Sequence, residues 1–483
     1  MNNSVFQTFE ATASKHPDKI AIVDKKYQIT YKELELRART IGSFIYSTFN
    51  NNPTVILLDR SYIIPTLILA HLYISKNYII LDSGMPESRL EKIFSTIGNF
   101  NIITDKKNYD QVKDYASTYL VNDFIDINHP ITKESCKDSV CYTLFTSGST
   151  GVPKGVEIPV SAFQDLIDSL DDHFCFDNSS RNGFVSSFYF DISVFDLAIM
   201  IGYGVTLDII PNMYSSFPKS LVKYLNKNKI TITCWVPSIY ATLMQVDIFK
   251  TQKIEFLKYA TFIGEVMHPN NYLYFKKYHP ATTFINMYGP TEATFACTIH
   301  QVSDSDIETY KTLPIGRPFN KTDIMILDGL NKTDEVGEIC ISGPSLAAGY
   351  LNNPTQTKKV FTEYEGTKIY RTGDLGYFKD DLLFFSGRVD SQIKHKGFRI
   401  ELGEIENAIT KLAYIDEGVV LYDSAKKQIM MFYSGIPNLE LDIRNDLKEV
   451  LQDYMIPDLI KYFKTIPKNR NGKIDRKKLK EGE

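Results

Sequence analysis

The densest run of ligand-binding chemistry in the chain is Thr146-Ser147-Gly148-Ser149-Thr150-Gly151-Val152-Pro153-Lys154-Gly155, directly after the apolar run Tyr142–Phe145. Its three glycines expose backbone N–H groups, its four hydroxyls add donors, and Lys154 adds a positive charge. A loop of that kind after a strand is suited to wrapping phosphate oxygens. It is not the P-loop of common NTPases, because Lys154 is followed by Gly155 where those proteins have Ser or Thr. The alternative, a flexible Gly/Ser surface loop, does not call for so many donors around one lysine.

Three further segments carry polar groups of the same kind. In Asn286-Met287-Tyr288-Gly289-Pro290-Thr291-Glu292, Tyr288 offers an aromatic face for a nucleobase and Asn286 an amide for an exocyclic amine. Thr291 can contact a phosphate, and Glu292 is a hard oxygen ligand of the sort Mg²⁺ takes alongside substrate phosphates. The blander reading of this segment is a turn into a helix capped by Thr291. Asp374, in Tyr370-Arg371-Thr372-Gly373-Asp374, can accept from two ribose hydroxyls, although an aspartate after glycine is commonly a turn residue. Lys473 lies in Asn471-Gly472-Lys473-Ile474-Asp475, itself a turn signal, where most lysines are only solvated.

These groups must be held by a sizeable scaffold. A chain of 483 residues is too long for one ordinary core and predicts two or more domains. Thr54–Asp59, Tyr78–Asp82, Ile102–Asp105, Val140–Phe145, Val205–Ile210, Ile230–Val236 and Thr283–Met287 read as strands, with a helix over Pro65–Ser75. Strands apolar on both faces and separated by helices predict largely parallel sheets covered by helices. Beyond Gly387 the pattern changes. Ile405, Ala408, Ile409 and Leu412 fall at helical spacing, strands follow at Gly418–Tyr422 and Gln428–Ser434, and a helix is expected around Asp442–Tyr454. The expectation is an α/β protein with a large N-terminal domain of mixed, mostly parallel sheets and a small, mobile α+β C-terminal domain.

Composition excludes several classes. A net charge of −4 offers no electrostatic case for nucleic acid. The six cysteines are scattered without CxxC pairs or zinc spacing, which predicts reduced, mostly buried thiols. The most apolar stretch, Ile63 to Ile74, is interrupted by Pro65, Thr66 and His71 and is too short to span a bilayer. No signal-peptide core precedes it. A cytoplasmic protein without membrane insertion is expected.

Taken together, the segments resemble those of the adenylate-forming superfamily: acyl-CoA synthetases, peptide-synthetase adenylation domains and firefly-type luciferases. The phosphate loop, the Asn286–Glu292 segment, Tyr370–Asp374, Gly387-Arg388-Val389-Asp390 with Lys396–Glu406, and Asn471–Asp475 occur in the superfamily's order. The resemblance runs from about Ser4 to the C-terminus. It implies ATP and Mg²⁺, with the nucleotide held by Thr146, Ser147, Gly148, Ser149, Thr150, Lys154, Gly264, Asn286, Met287, Tyr288, Gly289, Thr291, Asp374, Arg388 and Lys473. It gives catalytic roles to Thr146, Glu292 (the metal ligand) and Lys473, which contacts carboxylate and α-phosphate as the adenylate forms. It makes Asp390 a hinge between domains spanning 1–389 and 390–483. It further implies that the small domain rotates after adenylation and presents another face to a pantetheine thiol.

The same resemblance points to the acid. Phe190-Asp191-Ile192-Ser193-Val194-Phe195-Asp196 matches the segment that begins the substrate pocket, and in amino-acid-activating members its first aspartate, here Asp191, pairs with the α-ammonium. The remaining pocket positions carried over are Ile192, Phe195, Trp235, Thr261, Ile263, Met287, Phe295 and Ala296. This lining is apolar and bulky, which penalises a charged side chain and leaves room for a small, uncharged amino acid, alanine or D-alanine foremost. A helix N-terminal aspartate is the alternative for Asp191. Overall the chain is most similar to D-alanine–D-alanyl carrier protein ligases and stand-alone amino-acid adenylation domains, which implies transfer to a phosphopantetheinylated carrier protein. It departs from those ligases at Ile263, where they have cysteine, and at Trp235, where they have a smaller residue. An acyl-CoA or aryl-acid (aminobenzoate-type) ligase with the same ATP motifs remains the alternative.

Overall fold

The computed structural model describes residues 4–131, 140–148, 151–215, 217–310, 312–319, 321–468 and 474–481. Contacts group the chain into two compact units. The first comprises 1–83, 99–144 and 155–389; the second comprises 84–98, 145–154 and 390–483. The division in the C-terminal part thus falls between Val389 and Asp390.

Two large sheets dominate the first unit. In the seven-stranded one the order is Gly349–Tyr350, Lys154–Pro159, Val140–Thr146, Tyr78–Leu81, Thr54–Leu57, Asn101–Thr104, Ser117–Leu120. Tyr78–Leu81, Thr54–Leu57 and Asn101–Thr104 are buried at every position and pair in parallel, as strands covered on both faces must be. The nine-stranded sheet runs Arg317–Pro318, Thr298–Val302, Thr283–Tyr288, Tyr259–Phe262, Ile232–Trp235, Arg181–Phe184, Thr206–Ile209, Ile20–Asp24, Tyr27–Thr30. Its centre is parallel, and antiparallel strands close both edges. The expected strands are present with ends moved by a residue or two. The helix expected at Pro65–Ser75 runs Ile63–Tyr73, placing Pro65 in the first turn, where its missing N–H is harmless.

One part of the fold departs from the mostly parallel expectation. Between Asp323 and Arg388 the chain folds into an antiparallel sheet, in which Gly337–Ser342 lies between Asp323–Asp328 and Thr367–Lys379, the latter also pairing with Phe361–Tyr364 and Leu382–Arg388. Burial alternates along Thr367–Lys379, the mark of a strand with one covered face.

The second unit contains the helix Glu87–Ile97, a hairpin of Gln392–His395 and Phe398–Glu401, and the helix Leu402–Ile409. A three-stranded sheet follows, with Gln428–Gly435 between Ile415–Asp423 and Leu459–Tyr462. The helix expected around Asp442–Tyr454 ends earlier, spanning Glu440–Lys448, with a separate 3₁₀ turn at Asp453–Met455. Among the described residues no helix is long and apolar enough to cross a membrane. Cys141, Cys234, Cys297 and Cys340 are buried thiols outside any disulfide, and Cys175 is an exposed one; Cys136 lies outside the described residues.

Candidate active site

The strand Thr283–Tyr288 delivers three of the expected nucleotide contacts. The Asn286 amide nitrogen donates to Pro314 O at 2.7 Å, so an exocyclic amine would meet its carbonyl end. Tyr288 donates its hydroxyl to Asp374 Oδ2 at 2.7 Å. Burial, followed by the Asp374 charge, pushes that phenol well above its ordinary range, so it stays a donor. The other Asp374 oxygen is paired with Arg388. The pairing follows from register, because Asp374 and Arg388 face each other across adjacent antiparallel strands. Tyr288, Asp374 and Arg388, far apart in sequence, thus form one buried polar cluster.

Past Tyr288 the chain doubles back on itself. Cys297 N returns to Tyr288 O at 2.8 Å, and a Cβ on Gly289 would lie 2.6 Å from both Ala296 Cα and Phe295 O. Thr294 (φ 52°) and Phe295 (φ 78°) are both left-handed, a costly conformation for side-chain-bearing residues that tends to occur at functional sites. Thr291–Ala293 is a 3₁₀ turn preceded by Pro290, without a side-chain cap, so the capped-helix reading of this segment does not hold. Thr291 instead donates its hydroxyl to Asp191 Oδ2 at 2.5 Å. Glu292 is fully buried and its Oε1 accepts from the Tyr350 hydroxyl at 2.7 Å.

Asp191 begins the helix Ile192–Tyr203 in helical conformation, and its carboxylate does not cap that helix. The helix-terminal position expected as the alternative is thus where Asp191 stands, and the helix dipole favours its carboxylate there without a cap hydrogen bond. Phe190 is half-buried against the apolar cluster that contains Ile192, Phe195, Ile263, Met287, Phe295 and Ala296. The Phe195 and Phe295 rings are 6.0 Å apart. Thr261 is buried, its hydroxyl donating to Thr233 O at 2.6 Å. Gly264, after Ile263, needs its left-handed φ of 92°. Asp196 is deeply buried, with the Asn182 amide on Oδ1 at 2.5 Å; burial pushes its carboxyl well up, towards the neutral form.

Trp235 is a correction. Its indole donates to Gly183 O at 3.2 Å, and its ring belongs to a separate cluster with Tyr240, Ala260 and Phe262. Side chains alternate across a strand, so the preceding residue, Cys234, takes the face shared with Asp191. Cys234 lies in the same cluster as Ile263 and Met287. Burial pushes its thiol well up. Strand alternation in the sequence is the signal that identifies it. No local signal identifies Tyr350, whose partner lies 58 residues away.

The phosphate loop belongs to the second unit. Thr146 ends its strand, and its hydroxyl oxygen is buried without a hydrogen-bond partner. Ser147 donates to Arg399 O at 2.9 Å, and Gly151 N turns back to Gly148 O at 2.9 Å. Lys154 Nζ lies 4.0 Å from Glu401 Oε1, with both side chains nearly buried. Ser149, Thr150 and Lys473 lie outside the described residues. Asp390 accepts from Gln392 N at 3.1 Å in the turn that opens the C-terminal segment.

For Mg²⁺ the donor set fits a particular mode of binding. No group of three acidic, histidine or cysteine side chains able to hold a metal occurs among the described residues, and Glu292 is a single, oriented, hard carboxylate. That suits a cation carried mainly by nucleotide phosphates and water.

The family model described as AMP-binding enzyme matches residues 9–351. A D-alanine–D-alanyl carrier protein ligase of Bacillus licheniformis is 31% identical over 497 residues, covering 99% of both chains. Zwittermicin A synthase ZmaJ of Bacillus cereus is 31% identical over 499 residues, covering 99% of this chain and 95% of that one. Among solved structures, holo-PA1221, an NRPS protein containing adenylation and PCP domains, superimposes with a TM-score of 0.87 at 22% identity, covering 99% of this chain and 84% of that one. The family match over most of the chain and the full-length relatives lead to one assignment: the chain belongs to the AMP-binding enzyme family.

Proposed function

We propose that this enzyme is a ligase that uses ATP to activate a small, uncharged amino acid, alanine or D-alanine foremost, as the aminoacyl-adenylate. It then passes the acyl group to the phosphopantetheine thiol of a carrier protein. The substrate carboxylate attacks the α-phosphorus in line and pyrophosphate leaves; the thiol next attacks the acyl carbon and AMP leaves. No nucleophilic side chain is needed, so catalysis rests on positioning and charge neutralisation. Asn286 and Tyr288 take the adenine, Asp374 and Arg388 the ribose, and Thr146, Ser147, Lys154 and Thr291 the phosphates. Glu292 would hold Mg²⁺, which supplies charge neutralisation at the phosphates when bound. Lys473 neutralises charge as the adenylate forms. Residues 1–389 serve as the core and 390–483 as a lid turning at Asp390, and the enzyme works in the cytoplasm.

One observation carries the amino-acid reading. Asp191, half-buried at the head of the helix Ile192–Tyr203, is tied to the nucleotide segment through Thr291. The neighbouring Asp196 is held towards neutrality by burial, leaving Asp191 as the charge for an α-ammonium. The full-length likeness to D-alanine–D-alanyl carrier protein ligases supports both the substrate class and the carrier.

The test is ATP–pyrophosphate exchange over a panel containing both alanine enantiomers, other small amino acids, aryl acids and fatty acids. Small amino acids should rank first; a preference for acids without an amine would overturn the proposal. In Asp191→Ala the amino-acid KM should rise about 30-fold or more, as expected when a buried charge loses its partner at a cost of about 2 kcal/mol or more. The ATP KM should change little.

A further inference from the structure

Two sites proposed for different substrates meet at one hydrogen bond. Thr291 Oγ1 donates to Asp191 Oδ2 at 2.5 Å, and Thr291 is 5% exposed. A threonine hydroxyl has one proton and donates one hydrogen bond, whereas an ionised carboxylate only accepts. The backbone around Thr291 is held fast, with Ala293 N on Pro290 O at 3.0 Å and Thr294 N on Thr291 O at 3.1 Å. Any change of partner must therefore come from rotation of the hydroxyl, not from movement of the turn.

We propose that Thr291 is a positioning residue that couples amino-acid and nucleotide binding through this single proton. While the amino-acid pocket is empty, the proton is directed at Asp191. An arriving α-ammonium competes for the same carboxylate with a stronger, charge-assisted hydrogen bond, and the Thr291 hydroxyl turns its proton to a nucleotide phosphate oxygen. Each substrate then tightens the other by the same factor, since coupling between two binding equilibria is reciprocal. The inference rests on the proposed function above, which assigns the ammonium to Asp191 and a phosphate to Thr291.

The experiment is calorimetric titration of the full-length enzyme with Mg²⁺ and the non-cleavable analogue α,β-methylene-ATP. Each titration is run alone, with the amino acid ranked first by pyrophosphate exchange, and with propionate as an acid lacking the ammonium. The amino acid should tighten the analogue about fivefold or more, within the usual span of such couplings, and propionate should not. Thr291→Ser should retain the effect. Thr291→Val should bring the ratio to about one, whatever it does to the absolute affinity; Thr291→Ala gives the same reading should valine prevent folding. A wild-type ratio of one, an equal effect of propionate, or an undiminished ratio in Thr291→Val would overturn the proposal. These outcomes are separate from failure of the amino-acid reading, which appears as an exchange panel ranking other acids first.

Discussion

At the scale of single residues, the carboxylate proposed to hold the metal is set by a partner outside every recognisable motif. Glu292 is fully buried, and the Tyr350 hydroxyl fixes one of its oxygens at 2.7 Å. Tyr350 is itself immobilised. It pairs with Val156 on the strand that continues from the phosphate loop, and its ring lies 6.0 Å from that of Phe361. Partners that orient a metal ligand commonly matter about 10- to 100-fold in metal affinity. Tyr350→Phe, which removes only the hydroxyl, should therefore raise the Mg²⁺ concentration needed for half-maximal nucleotide binding by about tenfold. The KM for the amino acid should stay near its wild-type value. Calorimetric nucleotide titrations at graded Mg²⁺ would decide the point; an unchanged Mg²⁺ dependence would mean that Tyr350 serves packing alone.

At the scale of elements, the periodicity of a strand determines which side chains reach the pocket. Motif resemblance carried Trp235 into the lining, but alternation along Ile232–Trp235 turns it towards Tyr240 and Phe262 and brings Cys234 to the Asp191 side. A one-residue slip exchanges the two faces completely. Cys234→Ala should enlarge the pocket and favour larger uncharged amino acids, shifting kcat/KM ratios about tenfold, the worth of a methylene or so. Trp235→Phe gives up the bond to Gly183 O and should lower stability by about 1–3 kcal/mol with the substrate ranking unchanged. An exchange panel on both variants, with melting curves, tests the assignment. The same contrast shows what was legible. β-Branched runs such as Thr54–Leu57 and Tyr78–Leu81 announce buried parallel strands in the sequence, and the residue types of Tyr288-Gly289-Pro290-Thr291-Glu292 mark a candidate site. The antiparallel sheet over Asp323–Arg388 is not legible in the sequence, because its alternation is interrupted by turns and a bulge between Glu338 and Cys340. Nor can spacing disclose Tyr350 beside Glu292 or Thr291 beside Asp191, contacts created only when distant segments converge.

At the scale of the whole molecule, two compact units imply more than one unfolding transition. The second unit includes a buried ion pair, Arg89 of the helix Glu87–Ile97 with Glu404 of the helix Leu402–Ile409, at 5% and 3% side-chain exposure. Arg89 Nε and Glu404 Oε2 have no hydrogen-bond partner, so the pair is incompletely compensated. Removing one member of such a pair leaves a bare buried charge and costs about 3–5 kcal/mol, whereas exchanging both members for apolar residues is often neutral or stabilising. Glu404→Ala should therefore destabilise the second unit by roughly that amount, and Arg89→Met combined with Glu404→Leu should restore most of it. The sole tryptophan, Trp235, lies in the first unit, so its fluorescence is blind to this change if the units unfold independently. Hydrogen exchange should show faster amides in both helices of Glu404→Ala, with the denaturant midpoint of tryptophan fluorescence unmoved. A fluorescence midpoint that shifts together with the exchange rates would show instead that the two units unfold as one cooperative body.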